Sequence, residues 1–174
     1  AGSISGGLWE SFQDLNINRY YLDNNGALTS SFEQSSFNNR NGQYLNGRLG
    51  IDFYPTEKST FGFSYRGNTS PNDRKVDNTS IVSDNQGNLL QRVVADNISE
   101  TTFSSNLVSG YFTRKTDTLG GQISIDADYV QYVSGNDQLF QNFQYDALGN
   151  LTYQDQINGA IPSEITIYAA KTDY

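Results

Sequence analysis

Cysteine, histidine and methionine are all absent from this 174-residue chain. Without Cys there are no disulfides and no thiolate metal sites. Without His the Ser-His-Asp and Cys-His arrangements are excluded, together with the usual zinc ligand and the commonest general base. Met is missing even at position 1, which points to a chain processed or excised from something longer, and "AGSISGGLWES" shows no signal peptide. Long apolar runs are missing too. Mean hydropathy is −0.59, and no stretch approaches the run of about 20 apolar residues that a membrane helix needs. Basic residues are scarce: the net charge is −8 and the pI about 4.3. No basic stripe exists to meet phosphates, so nucleic acid is not an expected partner.

What is present points to strands. Hydrophobic residues make up only 36%, yet the chain holds 12 Tyr and 10 Phe. That aromatic content argues against disorder and suits a pleated sheet. Period-2 alternation recurs along the chain. Leu49, Ile51 and Phe53 oppose Arg48, Gly50 and Asp52; Phe61, Phe63 and Tyr65 oppose Gly62, Ser64 and Arg66. Ile123, Ile125, Ala127 and Tyr129 oppose Gln122, Ser124, Asp126 and Asp128, and Ile165, Ile167 and Ala169 alternate with Thr166, Tyr168 and Ala170. "SNLVSGYFTR" and "SISGGLWESF" read as less regular strands.

Short polar turns join these strands at one end: "PTEKS" (Pro55 to Ser59) and "RKTDT" (Arg114 to Thr118), with "KTDY" at Lys171 to Tyr174 expected to begin a third. The other ends are joined by long polar segments, roughly 13–43, 68–103 and 134–162. Each holds one D-x-x-G-x-L frame, at Asp23/Gly26/Leu28, Asp84/Gly87/Leu89 and Asp146/Gly149/Leu151. Asp bonds nearby backbone N–H groups and Gly supplies the positive φ, so each long segment is expected to be a β-hairpin extension with its tip at that frame. The even spacing, about 60 residues, counts one strand pair plus one long hairpin. Modules of about 1–54, 55–114 and 115–174 follow, within a single domain.

The expected fold is all-β: an antiparallel meander of about six long strands of about 9–11 residues, with short turns at one end and long hairpin loops at the other. Outer-membrane barrels share this asymmetry. On that reading Leu49, Ile51, Phe53, Phe61, Phe63, Ile123, Ile125, Ile165 and Ile167 face lipid, and Arg48, Asp52, Arg66, Asp126 and Asp128 face a lumen. Tyr54, Phe61, Phe112, Tyr168 and Tyr174 lie near the short turns, where an aromatic girdle would sit. Trp9 would mark a membrane interface or a ligand platform. A soluble or surface-displayed β-rich binding or adhesion module shows the same alternation and is the competing expectation.

Other motifs carry less. "DNNGALTSSFEQ" lacks acidic residues at the third, fifth and twelfth positions of a calcium loop, so a structural turn is expected. Asn78 and Asn97 open N-glycosylation sequons, to which no weight attaches in a bacterial chain. No acidic pair has surroundings that would separate two carboxyl pKa values, so no enzyme is expected. No cofactor or metal is expected either.

The run "NNRNGQYLNGRLGIDFYPTEKSTFGFSYRGNTSPND" (Asn38 to Asp73) resembles the outer-membrane β-barrel region of TonB-dependent-receptor-like proteins of the Bacteroidetes type. The matching parts are the strand Arg48–Tyr54, the turn Pro55–Thr60 and the strand start Phe61-Gly62-Phe63, preceded by an Asn-rich loop. "TRKTDTLGGQISIDADY" repeats that grammar one module later. The resemblance implies a large barrel with a plug, an N-terminal carboxypeptidase-regulatory-like module and TonB-coupled uptake of an extracellular ligand. No plug or TonB box lies within these residues. The chain is therefore expected to be a section of barrel wall. Its partners would be outer-membrane lipid, the rest of the barrel, a plug, and TonB-type coupling through other segments.

Overall fold

The computed structural model describes residues 1–117 and 120–174. Eight strands follow one another with no helix among the described residues: β1 (Gly2–Leu22), β2 (Leu28–Thr56), β3 (Ser59–Thr69), β4 (Asn72–Asp84), β5 (Leu89–Lys115), β6 (Gln122–Asp146), β7 (Leu151–Ala160) and β8 (Ser163–Asp173). All belong to one antiparallel sheet. β1 pairs with β2. β2 pairs with β3 and β4, which both pair with β5. β5 pairs with β6, and β6 with β7 and β8.

The eight elements amount to six ribbons. β3 and β4 lie end to end against β2, and the register runs from Leu45 opposite Thr69 to Gly42 opposite Asn72 without a slip. β7 and β8 do the same against β6, from Asp137 opposite Ala160 to Ser134 opposite Ser163. Each break falls at a proline. Pro71 still accepts from Gln43 N–H at 3.1 Å, but it has no N–H to return. Ile161 exchanges both of its bonds with Asn136, at 3.2 and 2.9 Å, so Pro162 turns its nitrogen to the unpaired side of an edge.

The ribbons are much longer than the 9–11-residue strands expected. β2 has 29 residues, β5 27 and β6 25; at the usual rise β2 spans roughly 90 Å. The strands do not stop where the polar segments begin, because alternation continues through "LNINRYYL" and "LTSSFEQ" and the ladder continues with it: Asn16 pairs with Ser35 and Asp14 with Phe37.

All three long segments turn at their D-x-x-G frames. Asp23 N–H donates to Ala27 O at 2.8 Å and Gly26 N–H to Asp23 O at 3.0 Å, with Gly26 at φ 82°. This is a type I turn closed by a glycine bulge. Asp84 with Asn88, and Asp146 with Asn150, repeat it, with Gly87 and Gly149 both at φ 84°. The Asp23 carboxylate accepts from Asn25 and Ala27 N–H groups at 2.8 and 2.9 Å, so it is spent on the turn.

At the opposite end Glu57 and Lys58 alone link β2 to β3. β5 is followed by Thr116, whose N–H donates to Gly121 O at 2.9 Å; Thr118 of the predicted second turn lies outside the described residues. The third expected turn is not one. Lys171–Asp173 continue β8, opposite Asp126, Ile125 and Ser124, because hydrogen bonding to β6 persists to that point.

Among the described residues no second layer covers the sheet. No hydrophobic side chain is buried among the described residues. The surface is 12124 Å², against about 8,500 Å² for a compact monomer of this mass. β1 forms one edge, and β7 with β8 the other; no pairing joins them.

The tips carry a pH dependence. Asp84 is held below its ordinary carboxyl value of 3.8, chiefly by the Asn88 side-chain amide and then by Asn88 N–H. Asp146 is lowered in the same way by Asn150. A carboxyl whose folded pKa is depressed contributes stability that is complete above its unfolded pKa and is lost as pH falls through the folded one. Amide signals of Asn88 and Asn150, followed by NMR, should therefore titrate below pH 3.8, and both turns should fray only on acidification past that point. Midpoints at or above 3.8 would contradict these bonds.

Candidate functional site

Paired residues share a face of a sheet, so the register sorts every side chain. Face 1 takes the odd positions of β2, β3, β4 and β6 and the even positions of β1, β5, β7 and β8. Face 2 takes the rest.

Near the short turns face 1 is apolar. Phe53, Phe61, Phe112 and Ile125 form one row across four ribbons, and the Phe61 and Phe112 rings lie 4.6 Å apart. Next come Ile51, Phe63, Gly110 and Ala127, then Leu49, Tyr65, Val108, Tyr129 and Tyr168. Ile51 and Phe53 are 65% and 64% exposed. On β2 the band runs over nine residues, Leu45 to Phe53.

Beyond it face 1 turns acidic. Glu10, Asn41, Asp73, Glu100 and Asp137 make a single row. Asp77 and Asp96 oppose each other further on. Lys75 pairs with Asp77 at 3.0 Å, and no cation among the described residues pairs with the row itself.

Face 2 near the short turns is polar on β1 to β3, with Ser, Asn, Gly and Arg. It brings together all five residues predicted to line a lumen: Arg48, Asp52, Arg66, Asp126 and Asp128. None of the five forms an ion pair with another. Arg48 instead stands directly opposite Arg66, and Asp52 accepts from Tyr111 Oη at 2.9 Å.

Seven of the nine residues predicted to face lipid share face 1: Leu49, Ile51, Phe53, Phe61, Phe63, Ile123 and Ile125. Ile165 and Ile167 do not. They stand on face 2 opposite Tyr132 and Val130, while Tyr168 and Ala170 take the face 1 positions of β8. In "SEITIYAAK" the isoleucine parity is the more apolar one, yet the ladder to β6 places it on face 2 with Tyr132 and Val130. Tyr54 and Trp9 also stand on face 2, Trp9 beneath Arg40 at 5.9 Å. Trp9 therefore does not share the face of the aromatic band.

Glycines on face 2 seat aromatic rings. A Cβ on Gly62 would lie 1.8 Å from Tyr111 Cε1, and one on Gly42 would lie 2.5 Å from Trp9 Cζ2. The Tyr111 ring crosses Gly62 to reach Asp52 on the far ribbon. Alternation alone does not reveal this lock, because it depends on which glycine faces which ring.

No family model matches the chain, and no curated protein matches it.

Gly62→Val should displace Tyr111 and cost about 1–3 kcal/mol, as overpacking does. Gly47→Val, where an added Cβ meets nothing within 4 Å, should stay within about 0.5 kcal/mol of the parent. Chemical unfolding midpoints of the two variants test the lock; equal losses would refute it.

Proposed function

We propose that this chain is a section of the wall of a transmembrane β-barrel in a bacterial outer membrane, belonging to a TonB-dependent-receptor-like transporter. One observation carries the reading: a coreless single sheet whose exposed face bears an apolar band of nine residues on β2. A tilted transmembrane strand needs about 9–11 residues. In this reading face 1 meets lipid, and the row Phe53, Phe61 and Phe112 sits at the interface beside the short turns. The acidic row then lies beyond the hydrocarbon, where carboxylates keep their water.

Face 2 lines the interior, against a plug or solvent. The paired ribbons beyond the acidic row rise from the cell surface and meet an extracellular ligand. Closure requires further strands at both edges, since an unpaired edge in hydrocarbon leaves backbone groups unsatisfied. Those strands, the plug and the contact with TonB belong to segments outside this chain. The role is structural and transport-related, without catalysis.

The absence of native cysteine makes single-cysteine labelling clean. In the protein folded into phospholipid vesicles, a fluorophore on Ile51→Cys or Phe63→Cys should be blue-shifted and quenched by lipid-borne quenchers. The same label on Asp52→Cys or Ser64→Cys should be quenched only by aqueous iodide. Iodide quenching of all four would overturn the proposal in favour of a surface-displayed binding module. A blue shift at Ile51→Cys without lipid quenching would overturn it in favour of a second protein layer.

A further inference from the structure

Like charges placed directly opposite each other across an antiparallel ladder repel. Arg48 and Arg66 form such a pair, and neither makes an ion pair with a described carboxylate. Asp52 is the one acid that β2 and β3 place on face 2, and it is occupied by Tyr111. The neighbouring positions supply uncharged hydrogen-bonding groups. Ser3 lies opposite Arg48. Asn46 and Asn68 form the next row, and Asn68 donates to Asn46 Oδ1, which leaves the Asn46 amide donor free. These groups line a shallow cavity of about 310 Å³.

We propose that this cavity is an oxyanion site, in which Arg48 and Arg66 together hold one carboxylate or phosphate group. A shared anion replaces their repulsion with charge-assisted hydrogen bonds, and the planar guanidinium suits both oxyanions. The other facing pair on this side is committed elsewhere. Arg74 Nε donates to Asn38 Oδ1 at 3.0 Å, and Arg40 lies over Trp9. The site depends on the register of β1, β2 and β3, so it stands whether or not face 1 meets lipid.

The test is NMR of arginine Nε–H signals from the full chain in non-ionic detergent, titrated at constant ionic strength with inorganic phosphate or with acetate in place of chloride. Saturable shifts of Arg48 and Arg66 are expected with at least one probe, and the better probe identifies the oxyanion class. Arg48→Gln and Arg66→Gln should each weaken binding about tenfold. Arg92→Gln, on face 1 beside Tyr145, should leave it within about twofold of the parent, a tenfold change being one decade of affinity. Either glutamine removes a repulsion, so both variants should unfold without anion at or above the parent's midpoint. Shifts that fail to saturate, that chloride reproduces, or that Arg92→Gln abolishes equally would overturn the site.

Discussion

The hydrogen-bonded ladder holds every described strand of this molecule in place. No hydrophobic side chain is fully buried among the described residues, so cohesion rests on backbone pairing and on contacts between neighbours within each face. That explains why register is kept so strictly. A slip of one residue would exchange the two faces of every strand beyond it. Shifts are confined to the ends of ribbons, at Phe53/Thr56 beside a short turn and at Tyr21/Leu22, Val82/Ser83 and Gln144/Tyr145 beside the three tips. Pro71 and Pro162 interrupt strands without moving the register.

The strict register separates two chemistries. Net charge is −8 for the chain, but the two faces carry unequal shares of each sign. Arg19, Arg40, Arg48, Arg66 and Arg74 all stand on face 2, while Glu10, Asp73, Glu100 and Asp137 share one row of face 1. Total composition reports an acidic protein and conceals a face rich in arginine. Local structure, rather than overall charge, decides which partner each side can accept.

Much of the fold was legible in the sequence. The all-β class, the antiparallel order, the three hairpin tips and six ribbons all follow from period-2 alternation and the repeated D-x-x-G frame. Asp23, Asp84 and Asp146 each bond to the backbone of their own turns, a local effect that needs no tertiary information. The length of the ribbons was less legible, because polar residues dominate the distal halves and composition there resembles loop. Placement of Ile165 and Ile167 was not legible at all. Alternation groups Ile165 with Ile167, but which face of the sheet they join is fixed only by the register with β6. The Tyr111–Gly62 contact and the Arg48–Arg66 pair were hidden for the same reason, since each joins residues on different strands.

The like-charge rows bear on what the sheet was shaped for. Asp73 faces Glu100, Glu100 faces Asp137, and Arg48 faces Arg66. Each such pair opposes folding by roughly 0.2–1 kcal/mol in the bare sheet. Alternating signs across these rows would make the bare sheet more stable. Counter-ions in solvent would screen the acidic row on one face, and the proposed anion would relieve the arginine pair on the other. The same reasoning applies to the band itself. Ile51 and Phe53, each nearly two-thirds exposed, would gain free energy wherever another apolar surface excluded water from them. Charge and hydrophobicity thus both mark the two faces of the sheet as chemically distinct surfaces.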